Sequence, residues 1–334
     1  MPVARGWAYC PTTWAMGVDS QVECDRAAPA VERSLEYCEA VVRAQARNFW
    51  FGLCLTPRPR RDALYALYAW MREADDLVDE PGATLERFEA FVHQSRRVIS
   101  GVATGAEIRA MGGGWPAFAW MVRHFGIKSQ WLEDMLAGLG GDFSHRSFES
   151  CEEFSRYCYR VAGTVGMCCT SIWGVRAGRD RAEALRAADH RGRAFQLINV
   201  LRDVGTDARH ACGPRVYIPR CRLAKHALNG DDLVAWRHPE RCVALVHDLG
   251  REAMHEMRLS SSLGESISPD CERVLGAMTE IYTRILSMVQ DEPRRCLDAP
   301  PASLSTRRKL TIAATWALRA YVAEYHDFRR AGRP

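Results

Sequence analysis

The chain has 334 residues, 47% hydrophobic and 26% charged, which supplies a large apolar core and excludes disorder over most of its length. Lys plus Arg total 45 against 41 for Asp plus Glu, a net charge of +4. That excess is too slight for a protein whose main task is gripping a nucleic-acid backbone, so no nucleic-acid partner is expected.

Residues 1–30 hold no continuous apolar run of the signal-peptide kind and are set apart as an N-terminal segment expected to be poorly ordered. From residue 31 to 330 the apolar residues recur at helical spacing, with no sustained strand-like alternation. The spacing predicts helices over 30–46, 60–79, 85–100, 115–124, 130–139, 151–175, 180–204, 239–259, 269–289 and 306–328. Breakers stand between them, including Pro57–Pro59, Pro81–Gly82, Gly112–Gly114, Gly140–Gly141 and Pro300–Pro301. With no long polar linker and no internal repeat, the pattern predicts one all-α domain. No run reaches the roughly 18 apolar residues of a membrane span, so a cytoplasmic protein, at most peripheral to a membrane, is expected. The 13 cysteines include no CxxC pair and no zinc-like spacing, and free thiols in a reducing cytosol are the expectation.

The helix around YALYAWMREADDLVD aligns Tyr68, Arg72, Asp75 and Asp79 on one face, with Asp76 beside them. So many carboxylates on an apolar helix repel one another unless a cation lies between them. One explanation is a solvated face with Arg72 neutralising Asp75 or Asp76; the other is a magnesium site facing phosphate oxygens. In RAFQLINVLRDVGTD, Gln196, Asn199, Asp203 and Asp207 form a second polar stripe on a helix otherwise apolar nearly all round. Such a helix is normally buried, and buried carboxylates need a partner or a metal. The two stripes are expected to face each other across one cavity; the alternative is a structural hydrogen-bond network. In YCYRVAGTVGMCC, Gly163 and Gly166 point to a close approach by another helix or by a ligand, the helix being the commoner reason. Tyr157 and Arg160 would then point into that cavity.

ALYALYAWMREADDLVDE, YCYRVAGTVG, FQLINVLRDVGTDA and RVYIP stand in the order found in squalene/phytoene synthases, and the chain resembles that family with specific motifs over about 46–219. The resemblance implies the all-α isoprenoid synthase bundle around a central cavity. It also implies three Mg2+ ions and head-to-head condensation of two prenyl diphosphates. Asp75 and Asp79 match one magnesium-binding motif of the family, and Asp203 and Asp207 the other. Tyr68, Arg72, Gln196, Asn199 and Arg202 match residues around the ionising diphosphate, and Tyr157 the tyrosine near proton removal. Arg215 and Tyr217 match the lid segment, and Phe49 an aromatic that contacts the prenyl chain. Three departures stand out: Ala46, Arg47 and Asn48 where relatives often carry serines, Thr206 where an acidic residue is usual, and a longer stretch between Asp207 and Arg215.

The implied reaction ionises one allylic diphosphate and adds the cation to the double bond of the second, through a cyclopropyl diphosphate. That product is presqualene diphosphate from farnesyl chains, or prephytoene diphosphate on the way to phytoene from geranylgeranyl chains. The resemblance leans to the bacterial presqualene and hydroxysqualene members, with phytoene synthases close behind, and NADPH is not expected. Peripheral membrane contact for product release belongs to the same expectation. The oligomeric state and the chain length are left open, since Trp50, Phe51, Trp70, Phe143, Trp173 or Phe195 could each close the tunnel. A class I terpene cyclase is a rival, but its second metal motif differs from the Asn199–Arg202–Asp203–Asp207 pattern. A non-catalytic assembly factor is another rival, against which the four intact aspartates argue.

Overall fold

The computed structural model describes the backbone of residues 18–80, 82–143 and 147–331, and the side chains of 21–46, 49–80, 82–143 and 147–319. Seventeen α-helices follow one another among the described residues: α1 (Val18–Arg26), α2 (Pro29–Gln45), α3 (Arg47–Leu53), α4 (Arg60–Asp79), α5 (Leu85–Ile99), α6 (Gly105–Met111), α7 (Trp115–His124), α8 (Ser129–Gly141), α9 (Cys151–Cys158), α10 (Thr164–Trp173), α11 (Arg181–Asp207), α12 (Arg220–Lys225), α13 (Gly230–Val234), α14 (Pro239–Leu259), α15 (Leu263–Ser266), α16 (Pro269–Asp291) and α17 (Thr306–Ala331). The two β-bridges among these residues, Ser147 with Val216 and Val175 with Ile267, are isolated pairs rather than sheets. None of the described helices is long and apolar enough to cross a membrane.

The long helices stand where the apolar periodicity places them, because each buries one face against its neighbours. In α4 the buried side includes Ala63, Leu64, Leu67, Trp70, Ala74 and Val78, and Trp70 stacks on Phe118 of α7 with ring centroids 4.6 Å apart. The periodicity misses the short α1, α3, α6, α12 and α13, which span too few turns to show a repeat. Within the N-terminal segment, residues 18–26 are helical, whereas residues 1–17 lie outside the described residues.

α11 is the axis of the bundle. Asp180 caps it by accepting from the backbone N–H of Ala182 at 2.9 Å. Its buried residues, from Ala184 through Phe195, Leu197 and Ile198 to Val204, occupy most of its circumference. It runs through Asp207 rather than stopping at Val204, so Asp207 stays in register with Asp203.

Two expectations need correction. The stretch from Cys151 to Val175 is not one regular helix: α9 passes through a π-helical turn, Tyr159–Gly163, into α10, which ends at Trp173. At that turn the chain passes very close to α11. A Cβ added to Gly166 would overlap the Ala188 carbonyl oxygen, and one added to Gly192 would overlap the Ala162 carbonyl. Helix packing therefore accounts for these glycines. The second correction concerns the thiols. Cys151 and Cys221 form a disulfide between the N-terminal ends of α9 and α12, while Cys38, Cys158, Cys168, Cys242, Cys271 and Cys296 are buried free thiols. Backbone bonds from Arg220 N–H to the Phe148 carbonyl and from Cys221 N–H to the Glu149 carbonyl hold these ends together. The two cysteines lie 70 residues apart, so local spacing carries no sign of the pairing.

Gly192→Ala should destabilise the protein by about 1–3 kcal/mol, the usual cost of forcing extra volume into a packed contact. Gly264→Ala, where an added Cβ meets nothing closer than 3.8 Å, should leave the melting temperature nearly unchanged. Thermal unfolding of the two variants beside the parent protein checks this.

Candidate active site

α4, α8, α10, α11 and α16 enclose a cavity of about 390 Å3, mostly apolar, with charge gathered along one part of its wall. Nine of the residues matched from the sequence line it: Phe49, Tyr68, Arg72, Asp75, Asp79, Tyr157, Gln196, Asn199 and Tyr217. Trp173 and Phe195 line it as well, whereas Trp70 and Phe143 pack elsewhere, on Phe118 and Phe88 respectively. Arg160 is not part of the cavity wall; its backbone carbonyl accepts from Thr164 Oγ1 at 2.7 Å.

The C-terminal turns of α4 and α11 bring the two aspartate stripes together. Arg72 Nη1 donates to Asp75 Oδ2 at 3.0 Å, and its other terminal nitrogen is paired with Asp76. Arg72 thus pairs with two carboxylates of its own helix and lines the cavity at once. Arg215 Nη1 reaches across to Asp79 Oδ1 at 2.7 Å and lies 3.3 Å from the Tyr217 hydroxyl. The longer stretch between Asp207 and Arg215 does not displace this contact. It turns at His210–Gly213, tied by a bond from Arg215 N–H to the Asp207 carbonyl, and sets His210 3.6 Å from Asp79. Thr206, in place of an acid, spends its hydroxyl on the Asp203 carbonyl at 2.9 Å. Asn48 lies among residues whose side chains are not described.

Asp203 and Arg202 take a different position. Arg202 holds Asp203 through two bonds of 2.7 and 2.5 Å, and neither lines the main cavity. Arg202 instead lines a second cavity of about 490 Å3 with Arg43, Lys309, Ser303, Trp50 and Phe51. Phe49 packs on Tyr282 at 5.7 Å and Phe195 stacks on the same ring at 4.2 Å, which places this aromatic stack between the main cavity and Arg202.

The charges are crowded enough to move titrations. Burial, then Asp79, pushes Asp75 up to about 6. Burial, then Asp203 and Asp79, pushes Asp207 up to about 7, so this carboxylate of α11 senses one on α4. Asp142, at the end of α8, is a residue that sequence reasoning missed. It is buried, accepts from the Tyr217 hydroxyl at 3.3 Å, and is pushed up to about 7 mainly by burial. It stands alone in sequence, just after the Gly140–Gly141 breaker, and no stripe marks it. Tyr157 stacks on Tyr217 with centroids 5.4 Å apart, and burial together with Asp142 drives its phenol well above the ordinary value. Tyr157 therefore stays protonated near neutrality and can donate or hold a proton rather than act as a standing base.

Among the described residues no three His, Cys, Asp or Glu side chains converge on one point, and Asp75, Asp79 and Asp203 are each engaged by an arginine. The donors fit magnesium in its bridging mode, where one or two carboxylates suffice and phosphate oxygens and water complete the shell. Asp75, Asp76, Asp79, Asp142, Asp203 and Asp207 outnumber Arg72, Arg202 and Arg215, which leaves a negative surplus for cations to offset.

Known proteins resemble the chain over most of its length. The family model described as squalene/phytoene synthase matches residues 42–311. A 15-cis-phytoene synthase of Synechocystis sp. is 28% identical over 88% of this chain and 87% of its own. A phytoene synthase of Arthrospira platensis is 30% identical over 81% and 88%. Among solved structures, a dehydrosqualene synthase in complex with ligand superposes with a TM-score of 0.74, covering 92% of this chain and all of that one at 23% identity. A squalene synthase from Alicyclobacillus acidocaldarius gives 0.68 at 22% identity, covering 82% and 95%.

Asp142 should leave a signature in stability. Its folded value is raised, so its favourable contribution is complete below about 3.8 and is lost as pH rises through about 7. The unfolding midpoint of the ligand-free protein should fall over that window, and Asp142→Asn should flatten the fall. An equally steep fall in the variant would assign it to other groups.

Proposed function

The chain belongs to the squalene/phytoene synthase family, and on that premise we propose that it joins two prenyl diphosphates head to head through a cyclopropyl diphosphate, releasing diphosphate. The observation that carries this reading is the juxtaposition of an aspartate-rich wall with a long apolar cavity, beside a second, cationic cavity. An ionising allylic diphosphate needs charge stabilisation at one end and dry hydrocarbon walls around its cation. The main cavity supplies both. Arg43, Arg202 and Lys309 around the second cavity suit the headgroup of the second substrate.

Asp75, Asp79, Asp203 and Asp207 are the residues that would hold Mg2+, which supplies Lewis-acid stabilisation of the departing diphosphate when bound. Arg72 and Arg215 lie on the same side and are positioned to balance the charge of the leaving group. Tyr68, Gln196 and Asn199 offer hydrogen bonds along the cavity wall, and Phe49 and Phe195 shape the hydrocarbon part. The allylic cation then adds to the 2,3-double bond of the second chain, and loss of a proton closes the three-membered ring. Asp142, which lines the cavity and accepts from the Tyr217 hydroxyl, is placed to take that proton. Tyr157 and Tyr217 stack beside it and orient the proton path. Release of an apolar product is the reason to propose peripheral contact with a membrane. NADPH is not required for this chemistry.

The test is to supply farnesyl or geranylgeranyl diphosphate with Mg2+, with and without NADPH, and to identify products by mass. Cyclopropyl diphosphate, or an unreduced condensed hydrocarbon, is expected. Squalene formed only with NADPH would make the protein a reducing synthase. One substrate molecule consumed per product would indicate a cyclase, and no diphosphate release at all would indicate a scaffold.

Asp79→Asn and Asp203→Asn should each abolish turnover while the helical circular dichroism and the fold are retained, since each removes a charge from a surplus of like charges. Activity within a few-fold of the parent in both variants would sink the proposed metal role. Tyr157→Phe should slow cyclopropane formation by about 10²- to 10⁴-fold, the range of general acid–base contributions, with substrate binding kept. An unchanged rate would reduce Tyr157 to its stacking contact with Tyr217.

A further inference from the structure

The aspartates stand near the C-termini of α4 and α11, so the carboxylate end of the main cavity is defined. Its other end is bounded by Leu64 early in α4, Trp173 at the end of α10, Arg191 in the first half of α11, and Leu263 of α15. Along α11, Arg191 is twelve residues before Asp203, about 18 Å away at ~1.5 Å per residue. Trp173 and Arg191 border the same turn. Val175 bridges Ile267 on one side of Leu263, and Arg191 is bonded to Ser260 on the other.

Arg191 is only 8% exposed. Its Nε donates to Ser260 Oγ at 2.8 Å, one terminal nitrogen donates to the Ser260 carbonyl at 3.2 Å, and the other pairs with Thr279 Oγ1. All these acceptors are neutral, and burial pulls the guanidinium down to about 10 with no carboxylate raising it. A guanidinium has five N–H donors, so this cation retains donor capacity and an uncompensated charge. Trp173 is 4% exposed, and its Nε1 is buried without a hydrogen-bond partner. A buried indole N–H without an acceptor and a buried guanidinium without a counter-charge therefore line the inner end of a cavity whose other surfaces there are hydrocarbon. Such groups are costly to bury unless something accepts from them.

We propose that this inner end is a recognition site for an oxygen function at the distal end of the isoprenoid chain, a hydroxyl, carbonyl or carboxylate that accepts from Arg191 and Trp173. The inference rests on the prenyl diphosphate reading of the cavity. It makes Arg191 a specificity-determining residue that favours a chain with an oxygenated tail over a plain hydrocarbon one. A hydrocarbon tail in the same place would leave the Trp173 N–H without an acceptor and the Arg191 charge without a counter-charge. Sites built to bond a substrate hydroxyl discriminate strongly against the analogue that lacks it.

The experiment measures binding, by titration calorimetry on the full chain, of the non-ionising thiolo analogue of farnesyl diphosphate and of its ω-hydroxylated counterpart. The parent protein should bind the hydroxylated chain at least tenfold more tightly, about 1.4 kcal/mol. Arg191→Leu should bring the ratio to one or invert it. Leucine is compatible with this site because Ser260 Oγ and Thr279 Oγ1 already donate to the Met257 and Leu275 carbonyls. Trp173→Phe, which keeps the ring and removes the donor, should lower the ratio about threefold, and it carries the comparison if Arg191→Leu does not fold. A parent that binds both chains equally, or a preference untouched by these substitutions, overturns the proposal. Diphosphate release from farnesyl diphosphate, followed in parallel, reports on the condensation alone. Preference for the hydroxylated analogue without release keeps the subsite and overturns the condensation. Release without the preference does the reverse, and binding of neither analogue overturns both.

Discussion

Like-charge repulsion at the shared end of α4 and α11 is the constraint around which the rest of the molecule is arranged. Asp79 is close enough to Asp75, Asp142 and Asp207 to help raise the titration of all three. A carboxylate cluster of this kind destabilises a fold unless partners offset its charge, and it persists where the surrounding structure holds it. The apolar circumference of α11, the close glycine contacts of α10 and the capping of α11 by Asp180 supply that rigidity. The arginines do not cancel the charge. Arg72, Arg202 and Arg215 each clamp particular aspartates and so fix their directions.

The same arrangement separates the two kinds of surface that the proposed chemistry needs. Charge lies at the helix C-termini, and hydrocarbon lines the length of the cavity from there inward. Phe49, Tyr282 and Phe195 form an aromatic stack beside Arg202, whose pocket opens on another side. The apolar path ends at Arg191 and Trp173, so the inner boundary of the cavity is polar again.

Much of the architecture was legible because long amphipathic helices write their periodicity into the chain. The limits of α4, α7 and α14 are those that the periodicity and the breakers predict. The stripes Tyr68–Arg72–Asp75–Asp79 and Gln196–Asn199–Asp203–Asp207 were readable for the same reason, since a polar residue repeated on an apolar helix is costly without a purpose. Asp142 was not readable, because it is a single acid at a helix end whose importance comes from Tyr217 and Arg215, more than seventy residues away in the chain. The Cys151–Cys221 pairing was hidden in the same way.

By itself the sequence determined the all-α class, the two acidic helix faces and the family resemblance, because these depend on spacing within one helix or one motif. Tertiary structure alone decided which wall each residue joins. It turned Arg202 toward the second cavity, drew Asp142 to Tyr217, broke the helix after Cys158 with a π-turn, and set Arg191 and Trp173 at the inner end. The physical reason is that helical periodicity fixes which residues share a face, whereas the partner of that face is chosen by packing between elements distant in the chain.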